Sequence, residues 1–152
     1  MKPHPELKLF LNPYSPTIQD LTLAVRKFTL DLVPNTYELI WDNYNAVAMA
    51  YSKSDKLKDA FCHIAVYAHH INFGFNRGAE LTKRDLKLNE SGKLIRHLKI
   101  TSIEDFKSAD LKLMVYEAVR ISEGRNNILK DSPMKPMSIV MSISEKKIRP
   151  KS

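Results

Sequence analysis

Two adjacent histidines, His69 and His70, sit in the run AHHINFGFNRGAEL from Ala68 to Leu81, and paired imidazoles raise the question of a metal site. On a strand, neighbouring side chains point to opposite faces, so this pair cannot chelate one ion in regular β geometry. The apolar run from Phe61 to Phe75 is also too long for one strand of about 5–6 residues. A hairpin bend at Ala68 to His70 resolves this and places both histidines in an exposed turn. His63 reads as a mid-strand residue satisfied within a sheet, and His97 follows Arg96 in a basic strand. No H-x-x-x-H, C-x-x-C or His/Asp spacing suggests zinc, so no metal ligand is assigned.

Catalytic chemistry finds little support. Cys62 and His63 are sequence neighbours whose side chains diverge on a strand. Cys62 lies in an apolar run, where a buried and inert thiol is expected. There is no G-x-S-x-G elbow, and no carboxylate pair has a spacing that implies acid–base work. No catalytic residue is assigned, and the protein is read as a non-enzyme. Trp41, Tyr44, Tyr51 and Tyr67 either line an apolar pocket or fill core and hairpin surfaces, the commoner use of aromatic residues.

Anion binding is the chemistry the residues favour. Arg77, in Asn76-Arg77-Gly78, presents a planar donor fork suited to carboxylate or phosphate. Glu80, three residues on, is the competing ion-pair partner. SGKLIRH, Ser91 to His97, superficially suggests a phosphate loop. A Walker A loop needs Gly and Ser/Thr where this chain has Lys87 and Leu94, so nucleoside triphosphate chemistry is not supported. Gly92 lets backbone approach a ligand, and Lys93 and Arg96 lie close by. Arg77, Lys93 and Arg96 are therefore the candidate anion-binding residues, for a small anion or anionic metabolite. Their convergence depends on the loop 79–90, which has no readable conformation.

The charge distribution fits that reading. The chain has 152 residues and a net charge of +7. The stretch from Arg125 to Ser152 holds seven Lys/Arg against two Asp/Glu, so most of the excess is tail. Within the body, Met1 to Asn76 balances at seven against seven, and Arg77 to Lys99 carries seven basic and three acidic residues. One local basic segment is not the basic face of a duplex binder, so nucleic acid is not the expected partner. A single cysteine allows no intrachain disulfide. No stretch is apolar for the roughly 18 residues that cross a membrane, and the N-terminal residues lack a signal-peptide pattern. A cytoplasmic location is expected.

These residues need elements to position them. Leu7, Phe10 and Leu11 suggest one helical turn. Ser15 is a good N-cap with Pro16 at N1, and Ile18, Leu21, Val25, Phe28 and Leu32 make an apolar helix face, with Arg26 and Lys27 elsewhere on the helix. Pro34 ends it. TYELIWD, AVAMAYS, AFCHIAVYA, INFGF and IRHLKIT read as five strands. Ser108 then caps a helix with Leu111, Met114, Val115, Ala118 and Val119 on one stripe, stopping at Gly124. Beyond it, residues 125–152 form a basic tail: a linker with prolines at 133 and 136, then MSIVMSIS, whose apolar residues alternate over 137–143. That segment is either disordered or docked on a sheet edge, its own or that of a homodimer mate or protein partner. Docking is favoured, because four apolar groups on one face are costly to leave wet.

WDNYNAVAMAYS, KDAFCHIAVYAHHINFGFNRGAEL and GKLIRHLKI together resemble the YdhG-like domain family, a family of unknown function. The likeness runs from Glu6 to Glu123, in the same order of helix, proline, hairpins, Gly-Lys loop, basic strand and closing helix. It implies an α+β domain over 1–124: a mainly antiparallel sheet of about five strands with the N-terminal and C-terminal helices packed on one face. Some relatives are described as frataxin-like iron chaperones for iron–sulfur cluster assembly, so the resemblance also implies iron as a cargo. Iron needs hard oxygen ligands. This chain offers Asp20 and Asp31 on the first helix and Glu38 and Asp42 in the first hairpin. Asp20 and Asp31 are roughly 16 Å apart along the helix, too far to share one ion, and no resident cofactor is expected. The reading is a small binding module with an anion site. Iron carriage and a protein-interaction role for 137–143 are its alternatives.

Overall fold

The chain begins in a computed structural model that describes residues 1–82, 86–131 and 135–150 with a short helix, α1 (Pro5–Leu11), capped by His4, whose Nδ1 accepts from the Glu6 amide. The second helix, α2 (Pro16–Leu32), starts where the capping pattern places it: Ser15 Oγ accepts from the Ile18 amide at 3.2 Å, and Pro16 fills N1. Ile18, Leu21 and Val25 are buried, as their spacing predicts. Arg26 is not on an outer face; it is 4% exposed.

After Pro34 the chain turns into strands β1 (Tyr37–Asp42), β2 (Val47–Ser52), β3 (Ala60–Val66), β4 (Ile71–Phe75), β5 (Asn89–Ser91), β6 (Ile95–Ile100) and β7 (Met137–Ile143). They form one seven-stranded sheet in the order β5-β6-β4-β3-β2-β1-β7. Neighbours pair antiparallel except β1 and β7, which run parallel. The α+β class is as expected, but the sheet has more than about five strands. The two extra strands flank the sheet. Three-residue β5 arises in a stretch too polar to read as a strand, and it closes a hairpin onto β6 through Gly92 at φ +81°. Met137–Ile143, the segment with alternating apolar residues, docks on the molecule's own β1.

Helix α3 (Ser108–Arg125) runs one residue past Gly124. Ser108 is its first helical residue rather than its cap; Lys107 holds the cap position without a side-chain bond. Residues of α1, α2 and α3 pack with Ile40, Met49, Ile64, Phe73 and Ile100 in one hydrophobic core. Each fully buried Leu, Ile or Phe there contributes about 1.5–3 kcal/mol. The alternate residues of the same strands face the other way. There only a small cluster forms, Leu39, Ala50 and Ala60 with Tyr37, Trp41 and Ile139 against it. Among the described residues, none from α1, α2 or α3 belongs to this second cluster.

The tail is fastened by charge as well as by backbone pairing. Glu38 and Asp42 are alternate residues of β1 on the helix side, and both are fully buried. Glu38 takes Arg26 Nε at 2.7 Å and Nη2 at 3.1 Å, the Tyr51 hydroxyl at 2.9 Å and the Ser138 hydroxyl of β7 at 2.8 Å. Asp42 is ion-paired with Lys147 and Arg149, both from the tail. Burial, then the neighbouring Glu38 charge, holds the Tyr51 phenol well above its usual pKa, so it donates to the carboxylate. Two buried carboxylates are tolerable because each of their four oxygens has a charged or hydroxyl partner.

Candidate functional site

The uncovered sheet face is not flat. Along β2 it presents Ala48 and Ala50, with Trp41 of β1 opposite Ala48 and His63 of β3 opposite Ala50. Side chains stand perpendicular to a sheet, so two alanines between larger neighbours leave a trough. Its volume is about 430 Å³, and Asn43, Leu57, Asn76 and Ile95 also line it. None of the lining residues is Lys, Arg, Asp or Glu.

Its polar content is one pair. His63 Nδ1–H donates to Asn76 Oδ1 at 3.0 Å. Burial, the largest cause, lowers the His63 pKa from 6.5; the Asn76 hydrogen bond opposes this and His97 adds to it. The imidazole is therefore neutral at pH 7, and with its proton on Nδ1 it keeps a lone pair on Nε2. The next residue in this row, Gly74, is what lets the ring lie over β4: a Cβ there would sit 2.3 Å from Nε2. Among the described residues neither Nε2 nor Asn76 Nδ2 has a hydrogen-bond partner, and no fully buried side-chain nitrogen or oxygen is left unpaired. Neither atom is fully buried. A neutral polar pair at the edge of an apolar, aromatic-walled trough has the composition common to ligand concavities.

The candidate anion residues lie elsewhere. Arg77 pairs with Glu80 through both Nε and Nη2, the competing arrangement anticipated from their spacing. Arg96 turns onto its own hairpin, with Nη1 donating to the carbonyls of Gly92 at 3.1 Å and Ile95 at 2.8 Å. Lys93 is exposed at the tip of that hairpin. The backbones at Gly78 and Arg96 do touch, since a Cβ on Gly78 would lie 2.5 Å from Arg96 Cβ. The side chains then part: Arg77 lines a narrow cleft with Ser122 and Arg125, and Arg96 a hollow of about 510 Å³ with Lys87 and Glu90. Gly78 is needed for this close approach and not for a left-handed turn, since among the described residues Gly92 alone has positive φ.

His69 and His70 occupy the β3–β4 turn, closed by Tyr67 N–H to the His70 carbonyl at 2.9 Å. His69 is exposed, whereas His70 is partly covered by stacking on Tyr67 at 4.9 Å. Cys62 is buried, and burial alone pushes its thiol well above its usual pKa. Glu38 and Asp42 are committed to internal ion pairs. Among the described residues no three His, Cys, Asp or Glu side chains gather as a metal-ligand set, and no helix is long and apolar enough to cross a membrane.

The open-face residues carried one sequence signal. Ala48 and Ala50 alternate with Val47, Met49 and Tyr51, so one face of β2 is lined with small residues. Placing Trp41 and His63 beside them needs the strand order and register, which pairing alone decides. Comparison of the chain with protein-family models, curated proteins and solved structures finds no match.

Proposed function

We propose that this chain is a small non-enzymatic binding module of the YdhG-like type, and that its ligand seat is the open face of the sheet. The observation that carries this is the trough over Ala48 and Ala50, walled by Trp41 and edged by the hydrogen-bonded pair His63 and Asn76. Ligand sites are mostly apolar concavities of about 300–1,000 Å³ with a few placed polar groups. The Arg77, Lys93 and Arg96 reading is weaker on this geometry, because both guanidiniums already have partners within their own loops.

A fragment panel containing neutral, anionic and cationic members tests the reading, followed by amide and indole resonances in ¹⁵N–¹H spectra. The expected result is that some fragments move Trp41 Nε1–H, Ala48, Ala50 and Asn76 together, and that Ala48→Leu, which fills the floor, abolishes this. Shifts confined to residues around Arg77, Lys93 and Arg96, with phosphate or citrate as the active members, would transfer the site to the anion reading.

A further inference from the structure

We infer that His63 and His97 form a two-histidine site for a divalent transition-metal ion such as Zn²⁺, spanning the gap over Gly74. His63 of β3, Gly74 of β4 and His97 of β6 are consecutive partners in one cross-strand row. Directly opposite residues of antiparallel strands share a face, so both imidazoles stand on the open side of the sheet. Nothing in their sequence spacing marks them as a pair; register alone makes them neighbours. The site adjoins the trough at its His63 edge and does not depend on the trough's holding a ligand.

Glycine sets the distance. Strands β3 and β6 lie on either side of β4, roughly 9–10 Å apart. The His63 ring leans across that interval, with Nε2 2.3 Å and Cε1 2.6 Å from where a Gly74 Cβ would lie. Nε2 has thus already reached β4, and one strand spacing of about 5 Å separates that strand from β6. Two Zn–N bonds of about 2.0–2.1 Å each span up to roughly 4 Å between nitrogens. The half-buried His97 has only to lean toward Gly74 for both rings to meet one ion.

His63 is prepared as a ligand. Its Nδ1–H donates to Asn76 Oδ1 at 3.0 Å, which fixes the ring and leaves the lone pair on Nε2. Metal-bound histidines characteristically donate their other N–H in this way. Burial first, and then His97 against the Asn76 bond, lowers the His63 pKa, and a metal needs the neutral ring. Imidazole suits Zn²⁺, Cu²⁺ and Ni²⁺. The row runs on to Ala50, Leu39 and Ile139 on one side and Asn89 on the other, with no carboxylate for Mg²⁺ or Ca²⁺. Lys99, the next residue on this face of β6, is exposed, where water screens its charge. Two protein ligands leave the remaining positions to water, so the ion exchanges.

The ¹⁵N-labelled full-length protein is titrated with zinc chloride at pH 7, and its five imidazoles are followed in long-range ¹H–¹⁵N spectra. His63 Nε2 and one ring nitrogen of His97 are expected to shift together and saturate at one ion per chain, before His4, His69 or His70 respond. Magnesium should move neither. His63→Gln and His97→Gln should each weaken zinc at least tenfold while thermal unfolding stays cooperative. Should His63→Gln fail to fold, His97→Gln carries the comparison. Asn76→Ala should return the His63 ring to a mixture of tautomers and weaken zinc about tenfold, as loss of such an outer partner does. Zinc shifts that begin at His69 and His70, shifts at only one of His63 and His97, or an affinity unchanged in His97→Gln overturn the site. Those outcomes leave the trough reading to its own fragment test.

Discussion

His63 lays its ring over Gly74 on the sheet's open face, with His97 next in the same cross-strand row. Gly74→Ala is therefore expected to be destabilising by about 1–3 kcal/mol, the range for overpacking a fixed site. It should also break the Nδ1–Asn76 bond, visible as a changed imidazole nitrogen pattern by NMR. The lowered pKa of His63 has a definite sign. The unfolded chain takes up a proton first as pH falls through 6.5, so stability is full above that value and is lost as pH drops toward the depressed folded pKa. His97 is the titratable neighbour that opposes charging of this ring. His70 is shifted the same way, by burial and then Lys99. His63→Gln should thus reduce, without abolishing, the fall in urea midpoint between pH 7 and pH 5. A slope unchanged from the parent would mean that His63 does not titrate in this window. Cys62, enclosed in the core with a raised pKa, should react with a disulfide reagent only as fast as the protein unfolds.

At the scale of elements, β7 is held by more than its ladder to β1. Its Ser138 completes the shell of Glu38, and the residues just beyond it bring Lys147 and Arg149 to Asp42. Arg149 also lies 5.9 Å from the Tyr14 ring. Removing residues 135–152 would take both cations from Asp42. Deleting one partner of a buried pair costs about 3–5 kcal/mol, and the truncated chain should lose at least that in denaturant unfolding. Ile139 and Trp41 both pack against the cluster that holds Leu39, and Ser142 of β7 lies opposite Trp41, so the same deletion should shift Trp41 emission to the red. Arg26→Ala should cost a similar amount, because Glu38 then loses both nitrogens of its guanidinium partner. A loss below 1 kcal/mol for either change would mean that water replaces these partners freely.

At the scale of the molecule, α1, α2 and α3 pack their buried residues on one sheet face, and the proposed seat lies on the other. The positive charge is not gathered there. Two of the tail's cations neutralise Asp42, and Arg77 and Arg96 are occupied within their loops. Binding to a labelled DNA duplex should accordingly be no tighter than about 10⁻⁶ M at physiological salt and should weaken steeply as salt is added, as for non-specific contacts. Tight binding that resists salt would require a basic surface that these side chains do not form.

The helices, the five internal strands and the β3–β4 turn were legible in the sequence because each depends on local period and on capping or breaking residues such as Ser15, Pro16 and Pro34. The alternation over 137–143 marked a strand, but its parallel pairing with β1 rests on partners a hundred residues away, Glu38 with Ser138 and Asp42 with Arg149. Arg26 looked like a surface residue because helical spacing cannot reveal a carboxylate waiting on another element. The short β5 was hidden in polar sequence, since its pairing with β6 comes from hairpin geometry and not from burial. Arg77, Lys93 and Arg96 stood out as cations, yet only the folded chain shows that two of them are already engaged. Composition and periodicity determined which apolar residues of the helices face the core. Which outward residues become neighbours was decided by strand order and register, and that is what brought Trp41, Ala48, Ala50, His63 and Asn76 together.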